Sequence, residues 1–181
     1  MTISTIFSEL AESLRPLGTS FDFDLAPAAS AEEIAGCEAA LGMSLPPSYV
    51  SFLQEHNGAD FGIDYKVDGL SPDVQLLGTD AIVDKQRRFA AYLADVDRRG
   101  ETTQNSASTR FWSGLIMFAT TGSSDCVFDA EQATGTEYAV LDFDDTDLAP
   151  TRDRVIAPSF TEWLERVVQS CRTDQNPVYW L

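Results

Sequence analysis

The chain has 181 residues, 44% of them hydrophobic and 23% charged, which is enough to bury a sizeable core without a disulfide or a metal. Its 29 acidic and 12 basic residues give a formal net charge of −17. That balance excludes a nucleic-acid binder, which needs Lys and Arg to displace counterions from phosphates, and an anionic membrane surface is excluded for the same reason.

The start, MTISTIFSELAESL, has no basic n-region and carries Glu9 and Glu12, so it does not read as a secretory signal. Within it Ile3, Ile6, Phe7, Leu10 and Leu14 trace a 3.6-period stripe, which predicts a first helix that Pro16 and Gly18 end. The stretch TSFDFDLAPAA reads as a loop. Ser30-x-x-Glu33 is a capping box and opens a second helix with Ile34, Cys37 and Leu41 inward. Gly42 is its left-handed stop. Pro46 and Pro47 suit the start of a third helix, where a missing N–H costs nothing. Tyr49, Phe52, Leu53 and His56 share one face of that helix, and Asn57-Gly58 supplies the exit. His56, the only histidine, is expected to cap carbonyls at the helix C-terminus.

After Gly58 the period changes to two. Phe61, Ile63, Tyr65 and Val67 alternate with polar residues, as in a half-exposed antiparallel strand. VQLL (74–77) reads as a short strand. A helix over about 80–96 has Ile82, Phe89, Leu93 and Val96 inward and Lys85, Arg87 and Arg88 outward. RRGETTQNSAST is a polar loop. A meander follows: GLIMFAT as a central strand, TGSS as a turn, DCVFD as a strand, EQATG as a turn, TEYAVLDF as a strand, and a short strand at 155–157. A last helix opens with a second capping box, Ser159-x-x-Glu162, and buries Phe160, Trp163, Leu164, Val167, Val168 and Cys171. The tail NPVYWL ends in aromatics and is expected to dock. Helices near the ends and strands in the middle predict an α+β fold with a mainly antiparallel sheet of about five to six strands. One domain over 1–181 is expected.

Catalytic and metal chemistry find little footing. One histidine and three scattered cysteines do not make a zinc site, and there is no GxSxG, GxGxxG or Walker loop. The longest apolar run, near Leu115–Ala119, is far too short to span a bilayer. The odd cysteine count without a CxxC reads as free buried thiols in a reducing, cytoplasmic compartment. Asp142, Asp144, Asp145 and Asp147 fit an EF-hand poorly, because Asp147 falls where the turn glycine belongs. No metal and no cofactor are expected.

The placement of charge is more informative. Between Arg15 and Lys66 there are eight acids and no base: Asp22, Asp24, Glu32, Glu33, Glu38, Glu55, Asp60 and Asp64. Between Arg110 and Arg152 the same holds for Asp125, Asp129, Glu131, Glu137, Asp142, Asp144, Asp145 and Asp147. Such stretches keep a protein soluble, and they also create a field that attracts a basic partner.

The order of these residues resembles the SUKH superfamily, whose members include a yeast regulator of cell-wall synthesis and many bacterial immunity proteins. The resemblance rests on Ile34, Glu38, Leu41-Gly42, Leu45-Pro46, Tyr49, Phe52-Leu53 and Asn57-Gly58. LIMFATTGSSDCVFD and the closing SFTEWLE support it. It covers about 30–168, with the helix at 2–15 and the tail at 172–181 as additions. The serines after Gly122 and the polar insertion after Arg98 depart from the family pattern. The resemblance implies helices around an antiparallel sheet. It also implies a non-enzymatic antitoxin that binds a cognate basic toxin, such as a nuclease. The alternative is a regulatory or scaffold module acting on an endogenous partner. The contact residues expected under the first reading are Asp142, Asp144, Asp145 and Asp147, with Asp60 and Asp64 second.

Overall fold

The structure, a computed structural model, describes residues 2–64, 73–99, 114–121, 124–143 and 155–173. Its helices are α1 (Ile3–Leu14), α2 (Ala31–Leu41), α3 (Pro47–Glu55), α4 (Thr79–Arg99) and α5 (Phe160–Thr173). Its strands are β1 (Phe21–Leu25), β2 (Ala59–Ile63), β3 (Val74–Leu76), β4 (Leu115–Thr121), β5 (Ser124–Thr134), β6 (Glu137–Phe143) and β7 (Val155–Ala157). They form one antiparallel sheet in sequence order, β1 to β7. The α+β class is as expected. Among the described residues the strand count is seven rather than five to six, because FDFDL forms β1 instead of a loop and pairs along β2 from Phe21↔Ile63 to Leu25↔Ala59.

Local signals set most helix boundaries. The Thr2 hydroxyl accepts from Thr5 N–H at the start of α1. The Ser30–Glu33 box is complete: Glu33 N–H donates to Ser30 Oγ (3.2 Å) and Ser30 N–H to Glu33 Oε2 (2.7 Å). These Ser30 hydrogen bonds lower the Glu33 pKa. Gly42 adopts φ +71 at the end of α2, a conformation that a Cβ would strain. Glu38 Oε1 then accepts from Leu45 N–H (2.9 Å) and fixes the turn into α3. Pro46 has no side chain able to cap α3. Glu137 reaches over from β6 instead, taking Ser48 N–H (3.0 Å) and the Ser48 hydroxyl (2.5 Å).

His56 does sit at the end of α3, but its Nδ1 lies 3.2 Å from the Ala26 carbonyl, beyond β1, rather than against its own helix's last carbonyls. Asn57 links α3 to the next helix: its Oδ1 accepts Thr79 N–H (2.7 Å) and so caps α4. Gly78 lies so close that an added Cβ would come within 2.3 Å of the Asn57 carbonyl oxygen.

Side chains alternate across a strand, so the sheet has two faces. The front carries Phe61, Val74, Leu76, Ile116, Phe118, Cys126, Phe128 and Val140 in the main core with α1, α3 and α5. A bulge between Met117 and Ala119 puts Phe118 and Ala119 together on this side. Phe118 stacks on Phe128 at 3.9 Å, and Tyr49 meets both edge-on. The buried Tyr49 hydroxyl shares its proton between the carbonyls of Leu77 (2.7 Å) and Phe118 (3.1 Å), as a buried phenol must to avoid an unmet donor.

The back holds a smaller cluster, Leu115, Met117, Val127, Leu141 and Phe143, under Phe89 and Leu93 of α4. Where β3 stops, Gln86 of α4 takes over. Its amide donates to Leu115 O (3.0 Å) and accepts from Met117 N–H (3.4 Å). EQATG, expected as a turn, mostly continues β5. The chain bulges between Asp129 and Ala133 and reverses only at Gly135, with φ +67. Asp129, fully buried, holds the bulge by accepting from Glu131 N–H and Gln132 Nε2. The second half of the expected strand after Gly58, with Tyr65 and Val67, lies outside the described residues, as do most of RRGETTQNSAST and the tail NPVYWL.

Candidate interaction surface

The strand pairings place one residue from each of six strands in a single line across the back of the sheet. Asp24 faces Asp60, Asp60 faces Gln75, Gln75 faces Thr120, Thr120 faces Asp125, and Asp125 faces Phe143. Gln75 Nε2 donates to Asp60 Oδ1 (2.8 Å). Asp125 takes Lys85 Nζ of α4 (2.5 Å) in a pair with both side chains less than a third exposed. Lys85 therefore points at the sheet, not outward as its place in the helical pattern suggested. The expectation does hold for Arg87 and Arg88, both exposed.

The β1–β2 end of this line is strongly negative. Asp24 and Asp60 oppose each other directly, an arrangement that disfavours the sheet where it is not offset. Asp22 lies on the same face, opposite Gly62. Asp64 follows β2 with φ +54 and is exposed. Its Oδ1 accepts from Ser20 N–H (3.1 Å), and Ser20 Oγ donates to Asp22 (3.1 Å). The structure thus brings two of the anticipated residues, Asp60 and Asp64, onto one ribbon with Asp22 and Asp24.

Asp142 is elsewhere. It pairs with Cys126 and shares the parity of Val140, so its side chain belongs to the front. Among the described residues its buried Oδ1 has no hydrogen-bond partner, beside the fully buried Cys126 thiol. Asp144, Asp145 and Asp147 lie outside the described residues. Asp22 and Asp24 are outside the contact set expected from the sequence, in which their segment reads as a loop. The two-residue alternation in FDFDL was the signal that could have found them.

The remaining chemistry is structural. The three cysteines are free and buried. Burial raises the Cys37 thiol to about 11 and the Cys171 thiol to about 12, and pushes Cys126 higher still. Protonated, enclosed thiols are poor nucleophiles. Among the described residues no cluster of three or more His, Cys, Asp or Glu side chains could hold a metal ion, and no helix is long and apolar enough to cross a membrane.

An α+β scaffold that displays a line of carboxylates over an apolar core has the makings of a protein-binding module. Comparison with protein families agrees: the SMI1 / KNR4 family (SUKH-1) matches residues 28–166. The chain belongs to the SMI1 / KNR4 family, whose members serve in immunity and regulation by binding other proteins. No curated protein is significantly similar to it.

Proposed function

We propose that this chain is a non-enzymatic immunity protein that binds and neutralises a cognate basic toxin, such as a nuclease, in the bacterial cytoplasm. The observation that carries this reading is the acidic back of β1 and β2, where Asp22, Asp24, Asp60 and Asp64 share one ribbon in a chain of net charge −17. A nuclease gathers basic residues to hold phosphate, and a carboxylate row can occupy the same groups as a phosphate surrogate. Opposite fields also speed encounter, by about 10- to 1,000-fold at low salt, which matters when a toxin must be caught before it acts. Asp142, inside β6, and Asp144, Asp145 and Asp147, next in the sequence, remain in the proposal as a second acidic segment.

The test is capture of the neighbouring gene's product, catalytically disabled, followed by association kinetics over a range of salt concentrations. The triple variant D22K/D24K/D60K is expected to slow association at least tenfold and to flatten its salt dependence. A chain that captures no toxin from its own locus and instead retains a housekeeping protein would replace this reading with a regulatory one. If capture occurs but the triple variant associates at the native rate, the toxin meets another face.

A further inference from the structure

Between Thr79 and Arg99, α4 has four acids and five bases, in a molecule of net charge −17. A second copy is repelled from most of this surface but not from α4. At about 100° per residue, Asp84, Arg88, Ala91, Asp95 and Arg98 fall within an arc of about 80°. Ile82, Phe89 and Leu93, which pack into the apolar clusters, lie on the opposite side. The arc is therefore the outer crest of the helix, and Arg88, Ala91 and Arg98 are exposed on it. The order of charge along the crest reverses about Ala91. Asp84 stands seven residues before it and Arg98 seven after, while Arg87, on the shoulder, stands four before and Asp95 four after. Arg88 bonds Asp84 and Arg98 bonds Asp95 within the helix, and among the described residues Arg87 is in no ion pair. The Asp84 and Asp95 side chains remain about half exposed, and a carboxylate has about four acceptor sites, so each can take a second cation.

We infer that α4 is the face by which two copies of this chain pair, antiparallel, about a two-fold axis at Ala91. In such a pair each residue before Ala91 lies beside the one equally far after it in the other copy. Asp84 then meets Arg98 and Arg87 meets Asp95, each twice by symmetry. The small Ala91 lets the two helices approach. Tyr92, 44% exposed, stands at the rim of a cleft of about 600 Å³ between α4 and the sheet. It comes to the same side of the axis in both copies, about 3 Å from its mate along the helix direction, and packs against it. Burial of Tyr92 and Ala91 supplies attraction, and the charges set register and orientation, since exposed ion pairs contribute little. The contact line from Asp84 to Arg98 is about 21 Å long, which suits a reversible dimer. A basic toxin does not fit this face, because Arg87, Arg88 and Arg98 would repel it. A reversed order of the same charges is what a second copy of α4 supplies. The inference is independent of the immunity reading and goes beyond it.

The experiment is sedimentation equilibrium of the full-length protein over a wide range of concentrations. The native chain is expected to show a monomer–dimer equilibrium. Asp84→Lys and Arg98→Asp each set like charges across the axis, and each alone is expected to weaken association at least tenfold. Mixed in equal amounts, the two variants are expected to associate again at near-native strength, because in the mixed pair every crest acid again meets a base. A folding defect in either variant cannot produce that rescue. A second measurement fixes the register. Ala91→Cys, on the axis, is expected to form an intermolecular disulfide with oxidised glutathione at least tenfold faster than Ala81→Cys. Ala81 is also exposed, but it lies about 30 Å from its mate along the paired helices. The three native thiols are buried and do not interfere. A native chain that stays monomeric at every concentration would overturn the inference. So would a mixture no more associated than its parts, or equal rates of cross-linking at the two positions.

Discussion

The front and back of the sheet are built from alternate residues of the same strands, and they are treated in opposite ways. On the front, α1, α3 and α5 cover a continuous aromatic and aliphatic core that includes Tyr49, Phe118, Phe128 and Trp163, each almost fully buried. On the back, α4 covers only the strands from β4 to β6, and the β1–β2 portion carries aspartates. The front is where the stability lies. The back is where like charges are brought side by side, with Asp24 directly opposite Asp60. Separating the two faces lets one side of a sheet diversify toward partners while the other holds the fold.

Substitutions can break or sharpen that contrast. The largest effect belongs to the front: Phe118→Ala should lower unfolding free energy by about 3–5 kcal/mol, measured in urea, since it empties the stacked centre of the core. Next is the cap from β6 to α3. Glu137→Ala should cost about 1–2 kcal/mol by leaving Ser48 N–H unsatisfied, and Glu137→Gln should recover part of it. Neither Glu137 variant should alter toxin association, because the cap is not on the acidic ribbon.

A smaller effect is expected with pH. Cys37 and Cys171 have thiol pKa values raised from 9.0 to about 11 and about 12 by burial. Their stabilising contribution is fully present below pH 9, where the unfolded thiols begin to ionise, and is lost as pH rises through the folded values. Unfolding midpoints should fall between pH 9 and 12, and Cys37→Ala with Cys171→Ala should flatten that fall. The smallest effect belongs to the back. Asp24→Asn should change stability by only about 0.2–1 kcal/mol, while weakening association with the toxin. A clear loss of stability in that variant would show the carboxylate to be a structural group.

What could be read from the chain was whatever a few neighbouring residues decide. The Ser30–Glu33 box, the Gly42 stop, the double proline before α3 and the stripe of α5 each act within one or two turns, and each forms as its spacing implied. β1 is hard to tell from a loop because its alternation lasts only five residues and every second one is Asp, a poor strand former. Its place at the sheet edge is decided by β2, some forty residues away. EQATG departs from its expected turn because a bulge, held by the buried Asp129, postpones the reversal. The same limit applied to the site. Charge counts pointed to Asp60 and Asp64, but the line from Asp24 to Phe143 exists only once five strand pairings are in register. Asp142 looked equivalent to the acids that follow it, although its parity with Val140 already assigned it to the front.

One contact has implications for the life of the molecule in a crowded cell. The Gln86 amide bonds to β4 where its neighbour β3 has run out. Bare backbone on a long apolar strand is a template for other chains, and proteins that leave it open tend to stick together. By standing in for the missing strand, a single glutamine conceals that template. It lets a hydrophobic segment end beside a cleft without becoming a seed for aggregation.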